Sequence, residues 1–282
     1  MKKIIVNADD FGLTKEISDR IIKIYKKGNL SSTSIMVNTP ATDYAINLAK
    51  KNKGLGVGLH LNLTEGRSIL GKSTLTNSQG FFLNKFQINS RVLLNKIKCS
   101  DIKDELEAQY NYLNNKGLIL THIDSHQHIH MNPKIFKVIA NFAKSKSLKI
   151  RIAFPHKIKR KKGKYNLKKL LKQFVLYFAS IANARYAKKI SLKFNLSFNS
   201  IFDFHPFQLP TEADYYQLAR LAKSNIHELM VHPYDITDEL KEIYGNQNKK
   251  KFKFFKITNA EKIILMKKQI FTNFNLITYG DF

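Results

Sequence analysis

The stretch KIIVNADDFGLTKEISDRIIKIYKK, residues 3–27, is the first unit of the pattern that decides the fold. Residues 3–8 form a short run rich in β-branched and apolar side chains, which predicts a buried strand. Residues 16–27 place isoleucines at helical spacing, which predicts an amphipathic helix. Asp9 and Asp10 lie at the junction, so this unit joins a strand to a helix through two adjacent carboxylates.

The same unit recurs along the chain, because short apolar runs alternate with longer segments of helical periodicity. The predicted strands span residues 3–8, 33–37, 55–61, 119–124, 149–153, 200–204, 228–231 and 276–279. The predicted helices span residues 16–27, 41–51, 101–116, 133–146, 167–189, 212–223 and 259–273. Thr258 and Glu261 fit a capping box, which predicts that the last helix begins there. This alternation predicts an α/β fold with a mainly parallel sheet.

A single barrel accounts for the length as well as for the pattern. The chain has 282 residues, and barrels of this size are usually one domain. It contains no GxGxxG or Walker A sequence, which disfavours a nucleotide-binding open sheet. We therefore predict one domain over residues 1–282, a distorted (β/α) barrel of seven or eight mainly parallel strands, with a basic insert-like segment near residues 156–195. Loops are predicted near residues 66–100, 156–166 and 245–256.

Composition limits the chemistry and the location. Cys99 is the single cysteine, so an intrachain disulfide and the usual thiolate zinc clusters are excluded. Any metal must therefore bind histidines and carboxylates. Residues 4–6 are too short an apolar run for a signal peptide. We expect a cytoplasmic protein, with peripheral association at the inner membrane face as a further hypothesis.

Positive charge is concentrated in the middle of the chain. The sequence has 48 Lys and Arg against 21 Asp and Glu, a formal net charge of +27, and no acidic residue lies between Ser125 and Phe202. The densest part is HKIKRKKGK, residues 156–164, and a helical pattern with an apolar face follows at residues 167–182. Such a pattern is usually a solvated basic loop followed by a helix that packs on the core.

Two partners for this basic segment remain as alternatives. A surface for anionic lipid headgroups or a lipid-linked substrate fits basic charge beside an apolar helix face. Nucleic acid ranks lower, because no zinc-finger spacing or RNP-like motif accompanies the charge. A homodimer of the whole protein is a further hypothesis.

Polar side chains follow the ends of several predicted strands. Asp9 and Asp10 follow the first strand, His60 ends the third, and His232 follows the seventh. Each has an ordinary interpretation, such as a strand end, a helix cap or a hydrogen-bonded core histidine. Together they indicate one site, because the carboxyl ends of parallel strands meet at one edge, where α/β enzymes place catalytic groups.

The fourth predicted strand runs into THIDSHQHIHM, residues 121–131, which is dense in histidine. Four side chains fall on one side if the chain stays extended: Asp124, His126, His128 and His130. This density predicts a metal site.

Four motifs together resemble the YdjC-like carbohydrate deacetylases, a family that includes chitin-oligosaccharide deacetylases and hopanoid-associated homologues. They are NADDFG at 7–12, GLHLNLTEG at 58–66, THIDSHQHIHMNP at 121–133 and ELMVHP at 228–233. The resemblance covers nearly the whole chain, and LITYGDF at residues 276–282 adds a weaker match.

The resemblance implies a distorted barrel that binds a divalent ion, most often magnesium, with zinc or another divalent ion as an alternative. The matching ligand positions are Asp10, His60 and His126. Asp9 matches the general base, and His232, expected to be protonated near neutral pH, matches the acid that serves the leaving nitrogen. Three positions match residues that orient the ligands or contact the substrate: Asp124, His128 and His130.

The implied reaction is removal of N-acetyl groups from an acetylated amino sugar. One departure from the family pattern stands beside His232, because Tyr234 and Asp235 follow Pro233 where the family usually has glycine. Two alternatives remain. One is another metal-dependent hydrolase such as a phosphoesterase, since such ligands do not dictate the bond that is cleaved. The other is a basic membrane- or nucleic-acid-binding protein without activity.

Overall fold

A curled parallel sheet forms the centre of the computed structural model, which describes residues 1–155, 167–203, 209–221, 226–244, 249–267 and 269–282. Its strands, in chain order, are β1 (Lys2–Phe11), β2 (Ser32–Ile35), β3 (Gly56–Leu61), β4 (His122–Ser125), β5 (Lys149–Ile150), β6 (Ser197–Ser200), β7 (His227–Val231) and β8 (Phe274–Leu276). They lie in the order β5-β4-β3-β2-β1-β7-β6.

The register gives every neighbouring pair a parallel orientation. Strand β8 pairs in parallel with the start of β1, through Ile4, on the edge opposite β7. The curl brings the far ends of the sheet together, because the N–H of Ile150 donates to the carbonyl of Lys193 at 3.1 Å, just before β6. The predicted distorted, parallel barrel is confirmed in the form of a curled half-barrel.

Helices cover the outside of the sheet. They are α1 (Lys15–Lys26), α2 (Thr42–Lys51), α3 (Lys85–Leu93), α4 (Cys99–Asn115), α5 (Pro133–Ser145), α6 (Leu167–Lys189), α7 (Glu212–Arg220), α8 (Asp238–Tyr244) and α9 (Lys249–Leu265). Short 3-10 helices lie at His126–Met131, Ile201–Asp203 and Tyr279–Asp281. Among the described helices, none has both the length and the apolar character needed to cross a bilayer.

Strand β1 lies inside the sheet between β2 and β7, and it is buried from Ile4 to Phe11. Both of its faces are covered, which explains why it begins with consecutive apolar residues, Ile4 to Val6, and not with an alternation. On the neighbouring strands, the ring of His122 fills the space beside Gly58, where an added Cβ would lie 2.3 Å from it. Only glycine fits there, so β3 and β4 depend on this residue for close packing.

Three predicted elements are wrong in position. Strand β6 starts three residues before the predicted run at 200–204, and a 3-10 helix occupies residues 201–203. Helix α9 starts well before Thr258, whose hydroxyl donates to the carbonyl of Phe255 inside the helix. Helix α3 occupies part of the predicted loop at 66–100, and Asn84 and Gln87 cap it reciprocally. Helical periodicity alone did not reveal these boundaries.

Parts of the predictions lie outside the described residues. The basic run at 156–164, the end of the predicted strand at residue 204 and the end of the predicted helix at 222–223 belong to this group.

Candidate active site

Asp9 and Asp10 both line one pocket, although adjacent residues on a regular strand point to opposite faces. Two features of β1 explain this. Asp10 has a left-handed backbone with φ of +64°, and the pairing of β1 with β2 shifts register between Ala8 and Phe11. An irregularity of this kind turns a side chain toward a new direction at the end of a strand. The local backbone therefore places two carboxylates in one site.

Asp10, His60 and His126 come together at the carboxyl ends of β1, β3 and β4. Asp10 Oδ1 lies 3.1 Å from His60 Nε2 and 2.9 Å from His126 Nδ1. All three residues are buried, and one ligand-type atom from each lies within 4.8 Å of the others. This group, here called the metal group, has the donors of a three-residue metal site with open positions.

Asp124 orients His60 from behind. Its Oδ1 lies 2.7 Å from His60 Nδ1, which leaves Nε2 facing Asp10. A carboxylate on the far nitrogen is the usual partner of a metal-ligating histidine, because it fixes the tautomer and the ring orientation. The geometry therefore makes His60 Nε2 a ready ligand atom.

Glu65 is a residue that the sequence interpretation did not single out. Its Oε2 lies 3.0 Å from His126 Nε2, and its Oε1 accepts from the side chain of Gln127 at 3.0 Å. It lies in the loop after β3 and lines the pocket. Its position depends on Asn62, whose side-chain oxygen accepts from the N–H groups of Thr64 and Glu65 at 3.1 Å.

Arg151 is the second residue missed, and it lies directly after β5 with no exposed surface. Its guanidinium donates to both oxygens of Asp9 at 2.7 Å. It also contacts Asp124 at 2.7 Å and Glu228 at 2.5 Å. A single cation thus ties together carboxylates from β1, β4 and β7. The predicted strand at 149–153 places Arg151 in its interior, so the exit position becomes clear only when β5 ends at Ile150.

The electrostatics of the metal group favour a bound cation. Burial acts to raise the pKa of Asp10, but His126 and His60 hold it well below its usual range. Burial acts to lower the pKa of both histidines, yet the facing carboxylates outweigh it. The pKa of His60 rises well above its usual value, and that of His126 rises to about 9. Without a metal, protons would supply the positive charge that the carboxylates require.

His232 follows β7 and faces the same carboxylates. Its Nε2 lies 4.0 Å from Asp9 Oδ2 and 3.9 Å from Asp10 Oδ2. Burial lowers the pKa of His232 despite both neighbouring acids. Desolvation outweighs the attraction of the carboxylates, so the free site disfavours the protonated form of His232 that the sequence interpretation expects near neutral pH.

Side-chain contacts fix the loop after β7. The N–H of His232 donates to Glu261 of α9 at 2.6 Å, and Tyr215 donates to the other oxygen at 2.7 Å. Asp235 pairs with Arg20 at 2.8 Å and with Lys262 at 2.6 Å. These contacts hold the loop against α1 and α9.

Tyr234 stands where the family pattern has glycine, and its side chain points inward. It is 1% exposed, and its hydroxyl donates to Asp10 Oδ2. Its ring packs edge-to-face against His232 and Phe254 at centroid distances of 5.8 Å. The departure in sequence therefore adds a donor directly to a candidate metal ligand.

The predicted alternation of residues 124–130 is wrong, because the chain turns into a 3-10 helix after Ser125. Gln127 and His128 have left-handed backbones with φ of 54°. His128 lines the pocket, and its Nδ1 has no hydrogen-bond partner within the described parts of the chain. His130 is fully buried, with one ring nitrogen 2.5 Å from the Ser125 hydroxyl and the other 3.1 Å from the Arg151 carbonyl. His130 therefore supports the turn from behind the pocket.

The pocket has a volume of about 230 Å³ and a wall of mixed character. The acids and histidines described above form one side. Met230, Phe254 and Phe255 contribute apolar surface to the same cavity. A concave pocket with converging polar groups and one apolar wall suits a small organic group.

Comparison with known proteins confirms the family resemblance seen in the sequence motifs. The sequence model of the YdjC-like protein family matches residues 3–270. A carbohydrate deacetylase of Clostridium beijerinckii is 39% identical over 150 residues, which cover 53% of this chain and 59% of that protein. A chitooligosaccharide deacetylase of Yersinia enterocolitica is 40% identical over 152 residues, which cover 54% of this chain and 59% of that protein. The alignment thus spans less than two thirds of these relatives.

A solved structure from Enterococcus faecalis, assigned as a cellobiose-phosphate cleavage protein, superposes with a TM-score of 0.72. The superposition covers 99% of this chain and 97% of that chain at 20% sequence identity. At this identity the likeness concerns the fold alone.

Proposed function

This chain belongs to the YdjC-like protein family, and from that premise we propose that it is a metal-dependent hydrolase that removes N-acetyl groups from an acetylated amino sugar. The names of the carbohydrate and chitooligosaccharide deacetylase relatives support the reaction class. The observation that carries the proposal is the metal group, which lies in one pocket with Asp9 and His232.

Asp10, His60 and His126 would hold the cation. One carboxylate and two imidazoles leave coordination positions open, as catalytic sites require. The family resemblance implies magnesium, while two imidazole donors also suit zinc. A divalent cation held there would polarise the acetyl carbonyl and lower the pKa of the water that attacks it.

Asp9 is the proposed general base. Arg151 fixes its orientation through both oxygens. Oδ1 also accepts from the side chain of Asn7 at 2.9 Å, so Oδ2 is the oxygen that retains capacity to accept a further hydrogen bond. Asp9 also lines the pocket, so an attacking water can reach it. Arg151 thus holds the base in place without blocking it.

His232 is proposed to deliver a proton to the departing nitrogen. Burial lowers its pKa and so favours the neutral form in the free site, and we propose that it gains the proton during the reaction. The Nε2 atom faces Asp9 at 4.0 Å, so the proton that Asp9 takes from water has a short route to it. The hydrogen bond from the backbone N–H of His232 to Glu261 fixes the main chain from which this ring reaches the pocket.

An acetate-release assay on N-acetylated chitooligosaccharides and related amino sugars tests the proposal. We expect release that a chelator abolishes and that re-added magnesium or zinc restores. His126→Ala should lower turnover at least about a thousandfold, because several kcal/mol of transition-state stabilisation depends on the cation. Phosphate release from simple phosphoesters, measured in parallel, addresses the alternative hydrolase. Phosphate release without acetate release, or acetate release unaffected by chelator, would contradict the proposal.

A further inference from the structure

Helix α6 carries a row of large apolar side chains on its outer surface. Leu171, Phe174, Val175 and Phe178 follow the i, i+3, i+4, i+7 spacing of one helix face. They are 64%, 51%, 64% and 65% exposed. We call this set the α6 stripe. The sequence pattern favours packing of this helix face on the core. These four residues are exposed, so that interpretation is wrong for them.

The opposite face of α6 holds the helix to the protein. Ser180, Asn183 and Ala187 are buried, and the side chain of Asn183 donates to the carbonyl of Met131 at 3.1 Å. Because the face that contains Asn183 packs against the protein, the α6 stripe on the other side of the helix is exposed. A contiguous exposed apolar patch of this kind usually marks an interaction surface.

The outward face changes from apolar to basic along the helix. Arg185, Lys188 and Lys189 are exposed about two to three turns after Phe178. The sequence contains no acidic residue between Ser125 and Phe202 to offset them. The partner must therefore accept aromatic and aliphatic side chains beside several positive charges.

We propose that the α6 stripe inserts into the interface of an anionic lipid bilayer, with the basic residues of α6 against the headgroup phosphates. An amphipathic helix of this character binds in the plane of the interface, through buried apolar area and attraction to anionic lipids. Each basic residue near such a surface adds to the attraction. This surface lies outside the pocket, and its assignment goes beyond the proposed reaction.

Charge argues against the two other occupants. A second copy of this chain would bring two basic surfaces together in a molecule of net charge +27, so repulsion would oppose the contact. Nucleic acid would match the basic residues, and its bases could stack on the phenylalanines, but the aliphatic Leu171 and Val175 offer no stacking surface and would stay exposed to water. A bilayer interface satisfies both features.

Vesicle co-sedimentation tests this inference with phosphatidylcholine vesicles, with and without phosphatidylglycerol. We expect the wild type to bind the anionic vesicles and to be released by salt. The double variant Phe174→Ser and Phe178→Ser should bind at least about tenfold more weakly, because two buried aromatic side chains are lost. Arg185→Glu should weaken binding about fivefold or more.

Ile119→Ser is the matched control, because Ile119 is 89% exposed and lies outside α6. It should bind vesicles like the wild type, and every variant should keep the wild-type melting temperature. Undiminished binding by the double variant would overturn the inference. So would a wild-type dimer that the double variant converts to a monomer, or binding to RNA with none to vesicles.

Discussion

Two groups of three ligand-type side chains share His60, which lines the pocket, and they differ in the cation available to them. The metal group joins His60 to Asp10 and His126, and the second group joins it to Asp9 and Asp124. Both are buried. The second group already contains Arg151, which contacts Asp9 and Asp124. Within the described residues, Asp10 contacts histidines and Tyr234 but no lysine or arginine.

The two groups have similar ligand-type side chains, but among the described residues only the second contacts a permanent cation, so the first is the better candidate for a metal site. Burial acts to lower the pKa of Arg151, yet Asp124, Asp9 and Glu228 raise it well above its usual value. A permanent cation therefore already lies in the second group, which we call the arginine group, and it would repel a metal there. In the metal group, Asp10 faces histidines, which give up their protons to bind a cation. Asp124 links the two, because it contacts both Arg151 and His60.

The largest effect should come from Asp10→Asn, which removes the charged ligand of the metal group. We expect divalent-ion binding to be lost and turnover to fall at least about a thousandfold, since the cation's contribution to the transition state disappears. Isothermal titration with magnesium and zinc, beside acetate release, measures both. Asp43→Asn is the control, because Asp43 is exposed and paired only with surface groups. Unchanged metal affinity in Asp10→Asn would end the distinction between the groups.

Arg151→Met should lower the free energy of unfolding by about 3–5 kcal/mol, because buried carboxylates lose their cation. The same variant should also change metal binding. With the guanidinium gone, divalent ions should bind the arginine group and recover part of the lost stability. Denaturant unfolding with and without metal measures both effects.

Arg20→Met is the control for that experiment, since Arg20 is partly exposed and pairs with Asp235. It should cost at most about 1 kcal/mol. If Arg151→Met does not fold, Arg151→Lys keeps a cation and should show a smaller loss. Wild-type stability in both Arg151 variants would show that the guanidinium does not hold this group together.

Glu228→Gln should change how stability depends on pH. Burial raises the pKa of Glu228 from 4.5 to about 7, despite donors from Arg151 and Tyr279. The folded protein therefore keeps a proton that the unfolded chain releases between these values. This contribution is fully present below pH 4.5 and is lost as the pH rises through 7, a change of at most about 3 kcal/mol.

The measurement is the difference in unfolding free energy between wild type and variant from pH 4.5 to 8. Glu228→Gln should flatten the decline seen in the wild type. The exposed Glu212→Gln should leave the curve unchanged. Parallel curves for wild type and Glu228→Gln would mean that Glu228 is ionised throughout, with Arg151 already satisfying it.

Tyr234→Phe should have the smallest effect. It removes the hydroxyl that donates to Asp10 Oδ2 and leaves the ring in place. Loss of such an orienting contact typically lowers metal affinity about tenfold. Metal titration against a competing chelator measures this affinity. Tyr216→Phe is the control, because the Tyr216 hydroxyl accepts a hydrogen bond from Asn273 away from the pocket. An affinity equal to that of the wild type would show that the Tyr234 hydroxyl does not contribute to metal binding.

The sequence located much of the site because parallel strands expose their carboxyl ends at one edge. That rule predicts that Asp9, Asp10, His60 and His232, from three strands, lie at one edge of the sheet, and the structure has them lining one pocket. It also gave the alternation of strands and helices. The rule applies to Arg151 as well, but the short strand β5 carries little pattern of its own.

Other features depend on contacts that periodicity does not encode. Glu65 reaches His126 from a loop whose shape is fixed by side-chain hydrogen bonds. His130 leaves the pocket because Gln127 and His128 adopt left-handed backbones. Glu261 fitted a helix cap in the sequence, yet it lies within α9 and holds His232. In each case tertiary structure overrides a local pattern.

The left-handed backbone of Asp10 narrows the evolutionary options of this protein. Few side chains tolerate a φ near +64°, chiefly glycine, Asn, Asp and His. A lineage that exchanged this ligand for a longer acid or a thiol would first have to rebuild the irregular end of β1. The backbone conformation at residue 10 therefore restricts which side chains can serve as a ligand there.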